Sequence, residues 1–294
     1  MHRGEHAISL ALAGALIADQ MPDLADLTLQ VVGQAGTDNV LIRLGPDRVA
    51  RFPRLPHAEA QIAMLARFLP LLQGLPLPLP LPVIRRQGRP GLDYPFHWTV
   101  GPFLAGQDAE DAPPELMHAA EDLADYLRGL HGLALPADLP RREREHRQDL
   151  RLGGAEHFIA QITEVEDLSP LYRFLNEARR LPPFQGPKVW THGDLHPLNL
   201  LTDQGRISAV IDWGSMGAGD PAMDYMLAWT LFDAPSRARF REILQPDPGT
   251  WDRGRALAFG KAIAALPYYR QSNLRFYAVM KHTLEQVLVD AFHA

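Results

Sequence analysis

The chain has 294 residues, of which 46% are hydrophobic and 22% charged, an ordinary globular composition long enough for one large domain or two lobes. A net charge of −6 leaves no basic footprint of the kind that nucleic-acid binding normally requires. The sequence contains no cysteine, which excludes disulfides, thiolate nucleophiles and cysteine-ligated zinc and fits a cytoplasmic location.

An apolar segment near the N-terminus, AISLALAGALIA at residues 7–18, predicts a helix that packs on the domain. It is too short to span a bilayer, so we expect no membrane association. A signal peptide is the alternative, but Glu5 lies in the flank and no small-residue cleavage site follows. The packed helix is therefore favoured.

The first hundred residues alternate between short β-type patterns and turns, with one helical pattern among them. The proline–leucine alternation at 75–82 favours a stiff connector with buried leucines over a polyproline ligand for a partner. Residues 1–102 are thus predicted to form a small five-stranded antiparallel lobe. Its strands are expected at 27–33, 39–44, 48–52, 82–86 and 96–100, with a helix at 58–72.

Residues 103–294 are predicted to form a larger, mainly helical lobe. Apolar residues recur at helical spacing across 114–133, and the charged run RREREHR at 141–147 is expected to be a solvated connector. The sequence gives no indication of oligomeric state. Further helices are predicted at 154–181, 221–232, 236–244, 252–268 and 273–292.

The segment THGDLHPLNLL at 191–201 concentrates polar side chains just before an apolar strand. The strand LLT, the turn DQGR and the strand ISAVID predict a β-hairpin with Asn199 and Asp212 near one another at its open end. Asp194 lies on the loop that enters the hairpin. Hard oxygen ligands of this kind suit Mg²⁺, and a separate carboxylate is available as a base.

Three interpretations of this segment compete. Asp and Asn side chains commonly bond nearby backbone amides, although a whole cluster argues against mere loop capping. A zinc site could use His192, Asp194 and His196, but Pro197 interrupts a regular strand and no fourth ligand suggests itself. The third interpretation rests on spacing, since Asp194 and Asn199 match D-x-x-x-x-N, in which kinases place a catalytic base and a magnesium ligand.

HGDLHPLNLL followed by VIDWGSMGAGDPAMDYMLAW resembles the aminoglycoside phosphotransferase family, small-molecule kinases with a protein-kinase-like fold. The stretch GQAGTDNVLIRLGPDRVARFPR resembles a subfamily of the same enzymes, so the likeness covers most of the chain. The resemblance implies a two-lobed α+β fold with nucleotide binding in the first lobe and the acceptor site in the second. It also implies Mg²⁺-dependent transfer of the γ-phosphate of ATP or GTP to a hydroxyl group of a small molecule, with antibiotic resistance as a consequence where that molecule is an aminoglycoside.

The resemblance implies a role for each polar residue of the motif. Asp194 would be the catalytic base, and Asn199 and Asp212 would be the magnesium ligands. His192 and Asp220 would brace the catalytic loop from behind, and Asp224 would fix the following helix.

On the nucleotide side, the turn GQAGTDN at 33–39 would cover the phosphates with backbone amides at Gly36, Thr37 and Asn39. An ordinary hairpin turn explains this turn equally well. No lysine precedes Lys188, so Arg51 on the third strand is the expected phosphate ligand, and a surface strand residue is the alternative. The segment TVGPFLAG at 99–106 resembles a hinge whose backbone, near Val100 and Phe103, would meet the purine.

Two features leave the function open. Leu65 occupies the position of the glutamate expected to pair with the strand cation, and Glu59 could replace it only in another register. A non-catalytic nucleotide-binding or interaction protein of the same fold therefore remains an alternative. Residues 233–294 carry nine basic and six acidic residues, so a neutral or anionic metabolite competes with an aminoglycoside as acceptor. Residues 105–140 form the contrasting acidic region, with Asp108, Glu110, Asp111, Glu115, Glu121, Asp122, Asp125 and Asp138 against Arg128 alone.

Overall fold

The computed structural model describes residues 6–32, 39–73, 77–141 and 152–292. The chain divides into two compact units. The first, called here the sheet lobe, comprises Met1–Leu75 with Pro80–Ala105, and the second, the helical lobe, comprises Pro76–Leu79 with Gly106–Ala294. The predicted division of nucleotide and acceptor binding between two lobes stays a prediction.

The sheet lobe contains one antiparallel sheet of five strands. Its elements are α1 (Leu10–Gln20), β1 (Leu29–Val31), β2 (Asn39–Leu44), β3 (Arg48–Pro53), α2 (Pro56–Leu72), β4 (Arg86–Gly88) and β5 (Trp98–Pro102). The strand order is β1-β2-β3-β5-β4, which puts β3 in the centre with Ala50 opposite both Ile42 and Val100. The fold predicted for this part of the chain is confirmed.

The core of the sheet lobe explains why α1 forms. Ser9 caps the helix by accepting a hydrogen bond from the Leu12 amide, and Leu16 and Ile17 are buried under the sheet. On the central strands, Phe52 and Trp98 stack with their ring centroids 4.9 Å apart. The apolar segment at 7–18 is thus part of a packed core, as the sequence predicts.

The proline–leucine connector is described from residue 77. Residues 77–85 form no helix or strand, which fits a connector. Leu77, Leu79 and Leu81 are half-buried, and Pro78 and Pro80 are exposed. The leucines therefore face the protein, but they are less buried than the sequence pattern predicts.

The described part of the helical lobe combines long helices with two small sheets, one of two strands and one of three. Its elements are β6 (Gln107–Asp108), α3 (Leu116–His131), α4 (Ala155–Ile159), α5 (Ser169–Ala178), β7 (Val189–Thr191), β8 (Leu200–Asp203), β9 (Arg206–Val210), β10 (Gly217–Gly219), α6 (Ala222–Tyr225), α7 (Leu227–Thr230), α8 (Ala234–Leu244), α9 (Pro248–Tyr269) and α10 (Leu274–Phe292). The strands β6, β7 and β10 were not predicted; β6 pairs with β8, and β7 pairs with β10.

Helix boundaries differ from the predicted ones where capping decides them. The helix predicted at 154–181 is broken into α4 and α5, since Pro170 can only occupy the first turn of α5. The helix predicted at 252–268 instead begins at Pro248, because the Asp247 side chain caps it by accepting from the Thr250 amide at 3.0 Å. The helix predicted at 221–232 is likewise two short helices, α6 and α7.

The predicted hairpin is present as β8 and β9. Gln204 and Gly205 form its turn, both with positive φ (47° and 76°), as a tight two-residue hairpin turn requires. Leu200 pairs with Val210, so Asn199 and Asp212 flank the open end of the hairpin, as the sequence predicts. Among the described residues, no helix is long and apolar enough to cross a membrane.

Candidate active site

The loop between β7 and β8 carries the polar motif and is called here the catalytic loop (residues 192–199). Gly193 has a φ of 81°, and a Cβ atom at this position would lie 2.5 Å from the Ser215 carbonyl oxygen. Only glycine fits such a close approach of two backbone segments. The loop then enters a short 3-10 turn at Pro197–Asn199, which leads directly into β8.

Asp224, a fully buried carboxylate, holds the start of the catalytic loop. Its two oxygens accept hydrogen bonds from the His192 amide at 3.1 Å and the Gly193 amide at 2.8 Å. The same carboxylate lies 3.0 Å from Nε2 of His131 on α3. Three donors therefore satisfy one buried charge, and the start of the loop is fixed by them.

The His192 ring links the catalytic loop to the hairpin. Its Nε2 lies 2.9 Å from the Ile211 carbonyl oxygen, and its Nδ1 accepts from the Asp194 amide at 3.3 Å. The ring also packs edge-on against Trp213, with centroids 4.8 Å apart. Both ring nitrogens of His192 face backbone partners, which argues against the zinc interpretation.

Asp220 serves the helices behind the loop instead of the loop itself. It forms a two-point ion pair with Arg253, at 2.7 and 3.2 Å, and accepts from the Ala222 amide at 3.0 Å. Asp220 and Asp224 therefore have their contacts exchanged relative to the prediction. The reason is position: Asp220 precedes α6 and accepts from its first amide, whereas Asp224 lies within α6 and accepts from the loop amides.

Asp194, the predicted base, forms an ion pair that the sequence did not predict. Its Oδ1 accepts a hydrogen bond from the Lys261 ammonium on α9, and its Oδ2 lies 3.6 Å from Nε2 of His196. Burial raises the pKa of Asp194, but Lys261 and His196 outweigh this effect and hold the pKa well below its usual value. The side chain is still 34% exposed, so an ionised carboxylate faces the surroundings.

His196 is buried beside this pair. Burial and the neighbouring Lys261 charge lower its pKa, which favours the neutral ring. The Asn199 amide nitrogen donates to the Asp194 carbonyl oxygen at 2.9 Å and lies 3.1 Å from the His196 Nε2. The ring stands edge-on to Phe276 of α10, with centroids 5.3 Å apart. His196 thus connects the catalytic loop to the last helix.

The two predicted magnesium ligands lie at the same end of the hairpin. The Ile211 amide donates to the Asn199 carbonyl oxygen at 3.0 Å, and Asp212 is the next residue. Asp212 has left-handed backbone angles (φ 57°, ψ 66°), an uncommon conformation for a residue other than glycine and one that clusters at functional sites. Within the described residues, no three His, Asp or Glu side chains form a metal-binding group.

One carboxylate and one amide oxygen nevertheless fit Mg²⁺. This ion is usually held by one or two protein carboxylates, with phosphate and water oxygens completing its shell. Because the Asn199 amide nitrogen is engaged by the loop, its oxygen is the atom that this side chain could offer to a cation. A carboxylate and an amide oxygen are thus the two donors that this end of the hairpin offers to a Mg²⁺ ion.

The residues predicted to contact nucleotide lie in the sheet lobe and are only partly described. Gly36 and Thr37 fall outside the described residues. Asn39 begins β2 and is buried, with a side-chain oxygen that has no hydrogen-bond partner in the described structure. Arg51 is half-buried on β3, in register with Leu41 and Thr99.

The predicted purine contacts near Val100 and Phe103 stay a prediction, but two of the backbone groups there are already bonded. The Val100 carbonyl oxygen accepts from the Arg85 amide, and the Phe103 amide donates to the Asp47 carbonyl oxygen, both at 2.9 Å. These two groups are therefore used within the sheet lobe, because the sheet extends to Pro102 and the chain stays bonded to it at Phe103. A purine would have to meet other backbone groups of this segment.

Helix α2 has Leu65 at the position where the sequence comparison leads us to expect a glutamate. Leu65 is 3% exposed and belongs to the buried face of α2. Glu59 accepts hydrogen bonds from the His97 amide at 2.9 Å and from its ring Nδ1 at 2.8 Å. These bonds lower the pKa of Glu59, which is thus held as a carboxylate at the edge of the sheet lobe.

The sequence did not predict which distant residues pair with the carboxylates of the motif. Lys261, His131 and Arg253 each contact a motif carboxylate from helices far away in the sequence. Only Lys261 carried a signal, since it is one of three lysines in a chain whose other basic residues are arginines.

The fold and the loop geometry define a kinase-like phosphotransferase, and comparison with known proteins places the chain in a family. Residues 28–259 match the APH family, described as the phosphotransferase enzyme family. The chain belongs to this family and is a phosphotransferase.

Individual relatives agree with this assignment. An aminoglycoside 3'-phosphotransferase of Escherichia coli is 26% identical over 222 residues, which cover 73% of this chain and 80% of the relative. The GDP and kanamycin complex of APH(2")-IIIa superposes with a TM-score of 0.73 at 21% identity, covering 95% of this chain and 99% of that one. Spectinomycin phosphotransferase APH(9)-Ia, in complex with ADP and spectinomycin, gives a TM-score of 0.67 at 15% identity and covers 98% of both chains.

Proposed function

We propose that the protein transfers the γ-phosphoryl group of ATP or GTP to a hydroxyl group of a small molecule, in a reaction that requires Mg²⁺. The observation that carries this proposal is the Asp194 carboxylate, which is ionised, partly exposed and fixed on a loop beside the hairpin end that presents Asn199 and Asp212. A cytoplasmic location, where both nucleotides are available, belongs to the same proposal.

Asp194 is the proposed base. When the acceptor hydroxyl attacks the γ-phosphorus, its proton moves to the Asp194 carboxylate, and the bond between the γ-phosphorus and the bridging oxygen breaks to release ADP or GDP. The amide bonds that Asp224 accepts, together with the His192 ring, keep the loop in one conformation. Fixed geometry matters because phosphoryl transfer gains mainly from positioning and charge neutralisation.

Asn199 and Asp212 are the proposed magnesium ligands. Bound Mg²⁺ would neutralise charge on the nucleotide phosphates and so assist departure of the leaving group. Arg51 is the proposed phosphate ligand in the sheet lobe, because an arginine can hold two phosphate oxygens at once. Amides of the turn at 33–39 are proposed as further phosphate donors, and the structures of GDP and ADP complexes in the same fold support a nucleotide as the co-substrate.

A non-catalytic nucleotide-binding protein of the same fold is the second candidate. The observation in its favour is Leu65, which puts a buried apolar side chain where a kinase of this type is expected to have a glutamate. An intact set of Asp194, Asn199 and Asp212 favours the enzyme. The family names make an aminoglycoside the first acceptor to test, with neutral and anionic metabolites beside it.

The deciding experiment measures Mg²⁺-dependent release of ADP and GDP in the presence of a panel of hydroxylated acceptors. Asp194→Asn is the test variant, and Asp203→Asn is the matched control, because Asp203 is an exposed carboxylate at the opposite end of the same hairpin. We expect acceptor-dependent release that Asp194→Asn abolishes and Asp203→Asn retains. Nucleotide binding without release under any condition would favour the non-catalytic candidate.

A further inference from the structure

Arginines pair with more than half of the acidic side chains of the region at 105–140. At least five of its eight acidic side chains form ion pairs with arginine among the described residues of the helical lobe. Such surface pairs contribute little to stability, but each one cancels charge that would otherwise attract a cation. The pairs are Asp108 and Asp111 with Arg275, Glu121 with Arg239, Asp122 with Arg206, and Asp125 with Arg128.

The pair nearest the catalytic loop matters most. The Ala109 amide donates to the Pro197 carbonyl oxygen at 3.1 Å, so the turn that carries Asp108 lies directly against the loop. Arg275 of α10 reaches this turn and binds both Asp108 oxygens, at 2.6 and 2.7 Å. Asp108 and Asp111, on this turn against the catalytic loop, are thus already paired with a cation of the protein.

Lys261 forms a similar ion pair with Asp194, the proposed catalytic base. Its ammonium donates to Asp194, and the Lys261 side chain is only 18% exposed. The carboxylate that a cationic acceptor would approach is therefore already paired with a positive charge. The ammonium also lies 5.5 Å from the centre of the Phe276 ring. A cationic group brought to Asp194 would meet Lys261 at short range, and like charges repel strongly in a partly buried site.

An aromatic cluster lies beside the ion pair. Phe276 packs against His196 and against Tyr269, with ring centroids 5.3 and 5.0 Å apart. Tyr268, which is 66% exposed, extends this cluster edge-on to Tyr269 at 4.7 Å. Aromatic faces next to the base suit a ring or an apolar portion of the acceptor better than a set of ammonium groups already faced by Lys261.

We propose that the acceptor is a neutral or anionic hydroxylated molecule, and that Lys261 is the residue that excludes polycations from Asp194. This inference rests on the proposed phosphotransfer function. The inferred acceptor differs from the one that the relatives' names specify, because Lys261 places a positive charge next to the base of this chain. Lys261 acts through position and charge, and Asp194 remains the group that takes the proton.

The test compares acceptor classes in wild-type protein and in Lys261→Met. The probes are kanamycin as the polycation, neutral sugars, polyols and nucleosides, and anionic hydroxy acids, each with ATP or GTP and Mg²⁺. We expect the best neutral or anionic acceptor to exceed kanamycin at least about tenfold in kcat/KM with wild-type protein, and Lys261→Met to narrow this ratio about tenfold. A wild-type protein that prefers kanamycin overturns the inference, and so does a ratio that Lys261→Met leaves unchanged.

Two further variants distinguish the effect of the charge at Lys261 from the effect of a change in net charge elsewhere. Lys281→Met makes the same change in net charge at an exposed lysine of α10, which lies 4.0 Å from Glu285, and should leave the acceptor ratio unchanged. Lys261→Arg retains the charge and should retain the exclusion of kanamycin. A purely structural Lys261 would instead lower the unfolding temperature of Lys261→Met without altering the ratio between acceptors.

A measurement of kanamycin binding tests the inference even if no acceptor is phosphorylated. Titration calorimetry with kanamycin, in the presence of Mg²⁺ and a non-hydrolysable ATP or GTP analogue, should show weak binding to wild-type protein and at least about tenfold tighter binding to Lys261→Met, with the gain reduced by salt. Equal kanamycin affinity in both proteins overturns the inference. Absence of turnover with every acceptor contradicts the proposed function alone, so the two failures are distinguishable. If Lys261→Met does not fold, tight kanamycin binding by wild-type protein still decides against the inference and weak binding supports it.

Discussion

The catalytic loop and the sheet lobe differ in how their proposed functional groups are held. In the loop, Asp224 of α6 accepts from the His192 and Gly193 amides, and Lys261 of α9 binds Asp194. Phe276 of α10 packs against His196. In the sheet lobe, Arg51 is placed by strand register, with Leu41 and Thr99 as its neighbours across the sheet. One site is thus built by long-range side-chain contacts and the other by backbone pairing.

This difference affects what a substitution can do. A change in the catalytic loop disturbs a buried polar network, in which each member has specific partners and an unmatched group is costly. A change at Arg51 removes one side chain from a strand whose backbone pairing remains. The loop should therefore show large, residue-specific effects on catalysis, and the sheet lobe smaller effects on nucleotide affinity.

The largest effect is expected for Asp194→Asn. The amide keeps the shape of the carboxylate but cannot take a proton, so turnover should fall by about a hundredfold or more while affinity for Mg²⁺–nucleotide stays within a few-fold. Steady-state kinetics with an identified acceptor, together with nucleotide titration, measure both quantities. Near-normal phosphotransfer by this variant would show that the proposed base is wrong.

The same variant leaves Lys261 without its carboxylate, which introduces a stability effect of its own. Asp194→Asn combined with Lys261→Met removes the unpaired charge and serves as the control. Its unfolding temperature should recover towards that of the wild-type protein, and its turnover should not. A recovery of turnover would mean that Asp194 acts through folding and not as the base.

The next largest effects are expected at the hairpin end. Asp212→Asn removes a formal charge from the proposed cation site and should weaken Mg²⁺–nucleotide binding and turnover by about tenfold or more. Asn199→Ala should resemble Asp212→Asn more than Asp194→Asn, most visibly at low magnesium. Nucleotide titrations over a range of magnesium concentrations measure this, and magnesium-independent affinity in both variants would remove these residues from the cation site.

Features of the structure that depend on residues close together in the sequence could be predicted, and those that depend on distant residues could not. The β8–β9 hairpin was predictable because its turn residues and alternating strands are neighbours in the sequence. The positions of Asn199 and Asp212 followed from it. The ion pair between Asp194 and Lys261 was not predictable, because 67 residues separate the partners and no local pattern records their contact.

The break between α4 and α5 shows the same limit. The sequence predicts one helix at 154–181, and Pro170 accounts only for the start of α5. The loop before it is tied to distant residues, because Glu164 accepts from Arg270, just after α9, and from Tyr277 of α10. The exchanged contacts of Asp220 and Asp224 have a similar cause. Which of two nearby carboxylates lies beneath a loop depends on the packing of α6, and composition alone does not reveal it.

A smaller effect is expected for Arg51→Ala in the sheet lobe. Loss of charge-assisted bonds to phosphate should weaken nucleotide binding or slow turnover at least about tenfold, with little change in stability. Arg48→Ala is the matched control, at an arginine at the start of the same strand whose side chain is 43% exposed. If the two variants have the same nucleotide affinity and rate as the wild-type protein, Arg51 is a surface strand residue and not a phosphate ligand.

The smallest expected effect concerns stability at a contact between distant segments. Burial raises the pKa of Glu164, but hydrogen bonds from Tyr277, the Thr163 amide and Arg270 outweigh it and lower the pKa below its ordinary value. A carboxyl group with a depressed pKa in the folded state stabilises the protein above the pKa of the unfolded state and loses that contribution as pH falls through the folded value. Glu164→Gln should therefore cost about 1 kcal/mol near neutral pH, with the cost shrinking as the solution is made acidic.

Denaturant unfolding of wild-type and Glu164→Gln protein at pH 7 and at successively lower pH measures this difference. Glu166→Gln, two residues away in the same loop and exposed, is the control and should show no such pH-dependent gap. Because Glu164 is contacted by residues more than a hundred positions away, a clear gap would show that long-range pairing stabilises the helical lobe beyond the catalytic loop. A cost that stays constant from neutral to acidic pH would show that Glu164 contributes through packing and not through its charge.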